Sequence, residues 1–282
     1  MKMKRGRRNQ LIAIGVVVVC LIVIIVILVS IIRQVFIRID AMEHYEVLRQ
    51  EQVIIKEDVS DKPLDSQQNA QQSTQQAAGQ EPGVSQPEVL TEEEQAFLRN
   101  INFESLQKNE NKDIYSWIYI PGTNIDYPIV QHPSDNAYYL NHNLNGTKGY
   151  PACIYTELEN QKDFGDFQTI IYGHNMRDGS MFHDLRYYQE KDYVEEHPYI
   201  YIYLGDAVYR YRIFAAYKYS DVHLLSLVQD DAAKQQYIQE ISKYILYGSD
   251  IQLTTDSHII TLSTCVSNED NKRFLVQAVL ED

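Results

Sequence analysis

Apolar and polar positions change their spacing four times along the chain. From Leu11 to Ile32 no residue is charged and nearly all are aliphatic, a run of 22 positions. As a helix rising about 1.5 Å per residue it reaches roughly 33 Å, enough to cross a bilayer core. Val35, Ile39, Met42, Tyr45 and Leu48 then recur among charges, which predicts a helix continuing from Gln34 to about Lys56. Between Asp61 and Pro87 the apolar residues thin out, and paired glutamines (Gln67-Gln68, Gln71-Gln72, Gln75-Gln76) appear with Ser, Ala, Gly and Pro. Such a stretch cannot bury enough apolar area to offset its ordering entropy and predicts a linker. At roughly 30 residues it has a root-mean-square span of about 30 Å, so a domain beyond it could search a volume above the membrane.

Thr91-Glu92-Glu93-Glu94 is a helix-start pattern, and Phe97, Leu98, Ile101 and Leu106 follow at helical spacing, predicting a helix over Thr91–Leu106. From Tyr115 the texture becomes short aromatic and β-branched runs broken by Gly, Pro and Asn. These are Trp117–Ile120, Tyr127–Val130, Ala152–Tyr155, Phe167–Tyr172, Tyr199–Leu204, Ala207–Tyr219, His258–Leu262 and Phe274–Leu280. Eight short strands at this density predict a mainly β sandwich or barrel. Two helical insertions interrupt them, a short one at Met181–Tyr188 and a longer one at Leu224–Tyr247.

Charge orients the apolar run. Lys2, Lys4, Arg5, Arg7 and Arg8 precede it and only Arg33 and Arg38 follow closely, so the N-terminus is expected in the cytoplasm and the rest outside. A cleaved signal peptide would have an apolar region of about 7–15 residues ending in small residues, which Ser30-Ile31-Ile32-Arg33 is not. Cys20 follows Val17, Val18 and Val19 where a lipid-attachment signal would place small residues, so it reads as a packing residue of the span. The organisation expected is a tail and anchor over 1–33, a stalk and Gln-rich linker over 34–90, and one folded domain over 91–282. The chain carries 25 basic and 39 acidic residues, a net charge of −14. Taking away the six basic residues of the first 33 leaves 19 against 39, about −20 for the external part. That field opposes binding to nucleic acid and gives no attraction to acidic lipid headgroups.

The external part has two cysteines, Cys153 and Cys265, and no Cys-x-x-Cys pair, so a disulfide framework is not what holds it. Cys153 reads as an inert strand-interior residue. In the strand from His258 to Cys265, alternation sends Ile260 and Leu262 one way and Thr261, Ser263 and Cys265 the other, ending the strand with a thiol on its more polar face. Arg273 follows across a polar, turn-forming stretch, so adjacent strands bring the guanidinium to the thiol, where it could favour thiolate or hold an oxyanion. A thiolate attacking an amide also needs a proton donor for the leaving amine. Of the eight histidines, His174 directly follows a buried-looking strand in Tyr172-Gly173-His174, while His44, His132, His142, His183, His197, His223 and His258 read as solvated or hydrogen-bonded.

Thr261-Leu-Ser-Thr-Cys265 with Arg273, and Tyr172-Gly-His174-Asn-Met upstream, resembles the sortases, specifically class B, over roughly Thr91 to Asp282. The resemblance implies an eight-stranded sortase-type β-barrel with an N-terminal helix and a long helical insertion before the catalytic strand. It implies a cysteine transpeptidase with His174, Cys265 and Arg273 as the catalytic set, and with Asn136, Leu140, Tyr172 and Ser263 lining the sorting-peptide groove. No metal or cofactor is implied. The partners implied are secreted proteins bearing a C-terminal sorting signal of Asn-Pro-x-Thr type, a peptidoglycan amine as acceptor, and the membrane of a Gram-positive-type cell through the N-terminal helix. The helix at Leu224–Tyr247 would either wall the groove or cover the barrel's side. A papain-like or caspase-like peptidase is excluded by the His-before-Cys order and by the absence of Gln-Ala-Cys, and a zinc hydrolase by the absence of His-Glu-x-x-His. The open alternative is a non-enzymatic, membrane-anchored β-domain, an adhesin or pilus-assembly scaffold with an idle thiol.

Overall fold

The structure, a computed structural model, describes residues 5–55, 91, 96–97, 99–244 and 251–281. The apolar run and the amphipathic stretch behind it form one helix, α1 (Arg5–Gln52), with no proline to break it. The described side chains from Ile12 to Phe36 are exposed. Further along, Ala41, Tyr45 and Leu48, spaced by four and three, are buried on one face. The Tyr45 ring packs edge-on against Tyr127 at 5.3 Å and its hydroxyl donates to the Ala152 carbonyl at 2.8 Å. Arg49 lies over the same Tyr127 ring at 4.6 Å and donates from Nε to the Asp126 carbonyl at 2.8 Å.

These contacts hold the C-terminal part of α1 against the barrel. The end of α1 is part of the folded unit, because its apolar stripe has a barrel to bury against. After α1, strand β1 (Val53–Ile55) pairs antiparallel with β2 (Arg99–Ile101), Ile55 opposite Arg99. The backbone on either side of 56–98 therefore returns to nearly the same place. The Gln-rich stretch lies outside the described residues.

The helix expected over Thr91–Leu106 is different. Positions 92–95 and 98 lie outside the described residues. Ala96 and Phe97 are helical as expected, but Arg99–Ile101 is strand, and the next helix is α2 (Phe103–Asn109), capped by Asn102, whose side chain accepts from Ser105 N–H at 3.0 Å. Extended backbone lets the largely buried Arg99 reach Asp126 at 2.8 Å and lie over the Tyr119 ring at 4.1 Å. Tertiary contact overrides the helical spacing there.

The eight expected strands are present: β3 (Ile114–Tyr119), β4 (Asp126–Val130), β5 (Ile154–Thr156), β6 (Gln168–Tyr172), β7 (Tyr199–Leu204), β8 (Ala207–Ser220), β9 (Ile259–Val266) and β10 (Glu269–Leu280). They close into a barrel in the order β10-β8-β7-β3-β4-β5-β6-β9, with β4/β5 and β6/β9 parallel and the other pairs antiparallel. Buried side chains such as Trp117, Ile118, Ile260, Leu262 and Val276 make up its main apolar cluster. Each large one contributes about 1.5–3 kcal/mol, an upper bound because unfolded chains already bury some surface.

The outward face of β6, β9, β10 and β8 has its own apolar cover. The insertion expected as one helix over Leu224–Tyr247 is broken: a 3₁₀ turn at Leu224–Leu227, then α4 (Asp231–Ile241), capped by Asp230 accepting from Ala233 N–H at 2.8 Å. Asp230 favours the cap over a helix interior, which splits the pattern. Residues 245–250 lie outside the described residues. Tyr237 of α4 is buried in a polar knot: its hydroxyl accepts from Gln168 at 2.7 Å and Gln277 at 2.6 Å, and both amides also reach Thr261. Of the two roles open for this insertion, α4 takes the cover of the barrel's side. The other insertion, expected at Met181–Tyr188, is a 3₁₀ turn at His183–Gln189 followed by an unforeseen helix, α3 (Lys191–Glu196).

Candidate active site

Three strand ends meet at one rung of the barrel. In the antiparallel pair β9/β10, Cys265 is directly opposite Arg273. Opposed residues share a face with Cβ atoms about 4.5–5.5 Å apart. In the parallel pair β6/β9, Tyr172 is level with Ser263. Carrying that register on by two residues brings His174 level with Cys265. The continuation is held by hydrogen bonds, from Gly173 N–H to the Ser263 carbonyl (3.2 Å) and from Thr264 Oγ1 to the Gly173 carbonyl (2.7 Å). Asn175 closes it, donating from Nδ2 to the Cys265 carbonyl at 3.1 Å.

Gly173 is needed for space. A Cβ there would lie 2.5 Å from Ile154 Cδ1 and 2.6 Å from the Phe182 ring, so a side chain would force Ile154, Phe182 or the His174 loop to shift. His174 Nε2 is 2.7 Å from the Leu140 carbonyl, and since a carbonyl only accepts, Nε2 carries the hydrogen and Nδ1 is left for proton exchange. The edge of Tyr150 packs against the imidazole at 5.1 Å. Cys265 is exposed, and Arg273 is half-buried with Nη1 donating to the carbonyls of Asp270 (3.0 Å) and Lys272 (2.9 Å). Those two bonds fix the plane of the guanidinium beside the thiol.

The four residues expected along a groove lie beside this rung. Asn136 and Leu140 are exposed, Tyr172 is half-buried, and Ser263 is buried on the strand two residues before the thiol. Two of them, Asn136 and Tyr172, are tied together by Glu157. Its buried carboxylate accepts from the Tyr172 hydroxyl at 2.6 Å and from the Asn136 amide, and His223 Nε2 stands 3.4 Å away. Asn136 in turn accepts from Leu158 N–H at 2.7 Å. Burial first, and then the hydrogen bond to Glu157, hold the Tyr172 phenol well above its ordinary pKa, so it stays a neutral donor. The motif Thr-Glu-Leu-Glu around Glu157 reads as solvated charge, and only the fold reveals the carboxylate as buried.

Cys153 answers to its expected role. It is buried just before β5, its thiol donates to the His142 carbonyl at 3.3 Å, and burial pushes its pKa up to about 12. His183, expected to be merely hydrogen-bonded, is placed with Nδ1 2.9 Å from Asn175 Oδ1, one link from the Cys265 carbonyl.

A family model described as the sortase domain matches residues 118–281, more than half of the chain. The chain belongs to the sortase family. Its relatives are of class B. Sortase B of Listeria monocytogenes is 38% identical over 174 residues, covering 60% of this chain and 70% of that one. Sortase B of Staphylococcus aureus is 31% identical over 195 residues, covering 68% and 79%. Among solved structures, Clostridium perfringens sortase B superposes with a TM-score of 0.58 at 32% identity over 64% of this chain and all of that one. The Staphylococcus aureus sortase B-substrate complex gives 0.57 at 31% over 64% and 84%. The closed eight-stranded barrel is the fold these sortase B structures share. As a class B sortase the protein is a cysteine transpeptidase, which sets aside the non-enzymatic scaffold.

Proposed function

We propose that this sortase is anchored in the cell membrane by Leu11–Ile32, N-terminus inside, and works at the outer surface through Cys265, His174 and Arg273. It cleaves a C-terminal sorting signal and joins the new carboxyl end to a cell-wall amine. The single observation that carries the reading is the pairing of Cys265 opposite Arg273, with the loop that bears His174 hydrogen-bonded to the end of the same strand through Gly173 and Asn175.

In this mechanism the Cys265 thiolate attacks the scissile carbonyl, and the C–O π electrons move onto oxygen. The N–H groups of Arg273 not committed to Asp270 and Lys272 hold that oxyanion. Collapse expels the amine, which takes a proton from His174 Nδ1, and a thioester joins the substrate's acyl group to Sγ. The imidazole, now neutral, accepts a proton from the incoming cell-wall amine as it attacks the thioester, releasing the thiolate. Nε2 keeps its hydrogen on the Leu140 carbonyl throughout, which is what orients Nδ1. Asn136, Leu140, Tyr172 and Ser263 read the peptide, with Glu157 beneath them. No metal enters the scheme, so turnover in EDTA is expected.

Substrate choice follows from class B membership as an Asn-Pro-x-Thr type signal. A peptide library given to the protein with triglycine as acceptor, followed by mass spectrometry, tests it. The expected product has triglycine joined to Thr, with Pro two residues earlier. Cleavage elsewhere, or only of peptides lacking Pro, would overturn the substrate assignment while leaving the Cys265 chemistry to be judged separately.

A further inference from the structure

α1 runs unbroken from the apolar stretch to the barrel, so with that stretch spanning the bilayer, as read above, the height of the site over the membrane is fixed by helix geometry. Ile32 ends the uncharged run and Arg38 lies six residues on, about 9 Å along the axis, and any tilt only reduces the height. Arg38 donates from both Nε (2.9 Å) and Nη2 (2.5 Å) to Asp178, four residues after His174. Ile37 faces Gly149, where an added Cβ would lie 3.2 Å from Ile37 Cγ2, and the next residue, Tyr150, is the one packed on the His174 ring. Two pieces of the site's rim thus touch α1 at the same level. The headgroup layer on each side of a bilayer is about 5–8 Å thick, so this level is its outer edge.

A second observation points the same way. On that stretch of α1, Val35, Phe36 and Ile39 are exposed, Phe36 to 67%, beyond Arg33, whose stem can reach back along the helix. Val35 and Phe36 lie between the span and the docked turn and Ile39 directly after it, and three bulky apolar side chains facing outward at this level suit an interfacial setting and not bulk water. On the barrel, Tyr150 is 57% exposed, an aromatic at the depth where bilayer interfaces favour tyrosine.

We propose that the mouth of the active site is itself a membrane-contacting surface. The 174–178 loop and Tyr150 rest against the phospholipid headgroups, and the enzyme reads peptide bonds presented at the bilayer surface. The acidic external part supplies no attraction for lipid; the covalent helix does, by holding the rim at that height. A substrate also held at the surface meets the thiol at a high effective concentration, whereas a freely dissolved peptide does not.

Depth-dependent fluorescence quenching tests this on the full chain in phosphatidylcholine vesicles, with Cys20 and Cys265 replaced by serine. Single reporter cysteines are placed at Val23, Tyr150, Arg177 and Asp206 and labelled with an environment-sensitive dye. Asp206 is the control, in the β7–β8 turn at the far end of the barrel, about 40 Å from the Arg273 rung along β8. A headgroup-level lipid quencher is expected to quench Tyr150 and Arg177 several-fold more than Asp206, and a mid-bilayer quencher to reach Val23. Arg177 is exposed, so it reports even where Tyr150→Cys disturbs the loop. Val23 quenched with Tyr150 and Arg177 no more affected than Asp206 would overturn the proposal alone. Val23 unquenched would overturn the membrane-span reading and this proposal with it.

Discussion

Cys265 and Arg273 are directly opposed on β9 and β10, with Thr264–Phe274 and Ser263–Leu275 paired behind them in unbroken register. The guanidinium is held in plane by its own loop's carbonyls, so its contribution is one of geometry as much as of charge. Lysine keeps the charge and loses the planar fork. Arg273→Lys is expected to lower kcat/KM by about 10²-fold, the usual cost of an oxyanion donor. Steady-state kinetics on a quenched sorting peptide would reveal it; a lysine enzyme within a few-fold of wild type would mean that charge suffices.

Glu157 sits under the groove and faces three potential donors: Asn136, Tyr172 and His223. Glutamine has one acceptor oxygen and turns an amide N–H against donors, losing a charge-assisted bond of about 1.5–3 kcal/mol. Glu157→Gln should therefore raise the peptide KM about 3–10-fold, with a smaller change in kcat, and lower the Tm by about 5 °C. An unchanged KM alongside a lowered Tm would reduce Glu157 to a structural residue.

The two thiols of the barrel unit should separate completely. In a Cys20→Ser background, a methanethiosulfonate reagent is expected to label Cys265 in the folded protein. Cys153, buried and with its pKa near 12, should stay unlabelled even at pH 9 and react only on denaturation. Peptide mapping of the adduct gives the answer, and modification of native Cys153 would contradict the burial described.

At Asp178, burial alone would raise the carboxyl's pKa, but hydrogen bonds from Ser180 and Arg38 outweigh it and leave the group below its ordinary value. A depressed folded pKa means stabilisation that is present above the unfolded value, near 4, and lost as pH falls through the folded one. The difference in Tm between wild type and Arg38→Ala should accordingly hold steady from pH 8 to 5 and shrink below about pH 4. A difference that grew on acidification would mean the Arg38–Asp178 pair is not what couples α1 to the loop.

The barrel was legible because every strand announces itself locally, by β-branched and aromatic runs between turn residues. Cys265, His174 and Arg273 stand out as candidates in the sequence too, since residue type, strand-end position and chain order all speak in one dimension. Glu157 was not, because nothing in Thr156-Glu157-Leu158-Glu159 tells a buried carboxylate from a solvated one; that depends on Tyr172 and Asn136 arriving from elsewhere. Tyr45 and Leu48 were placed on a helix by their spacing, but the face they bury against is formed by Tyr127 and Ala152, roughly 80–110 positions on. Where Arg99–Ile101 is extended against helical spacing, pairing with β1 decides, and that partner is invisible to any local window.

The central claim is that Cys265 carries the acyl group. Intact-protein and peptide-mapping mass spectrometry of enzyme quenched in acid during turnover of a sorting peptide would test it most directly. An adduct with the mass of the peptide's N-terminal fragment is expected on Cys265, discharged by triglycine and absent, together with cleavage, from Cys265→Ala. An adduct on any other residue, or cleavage persisting in Cys265→Ala, would contradict the account.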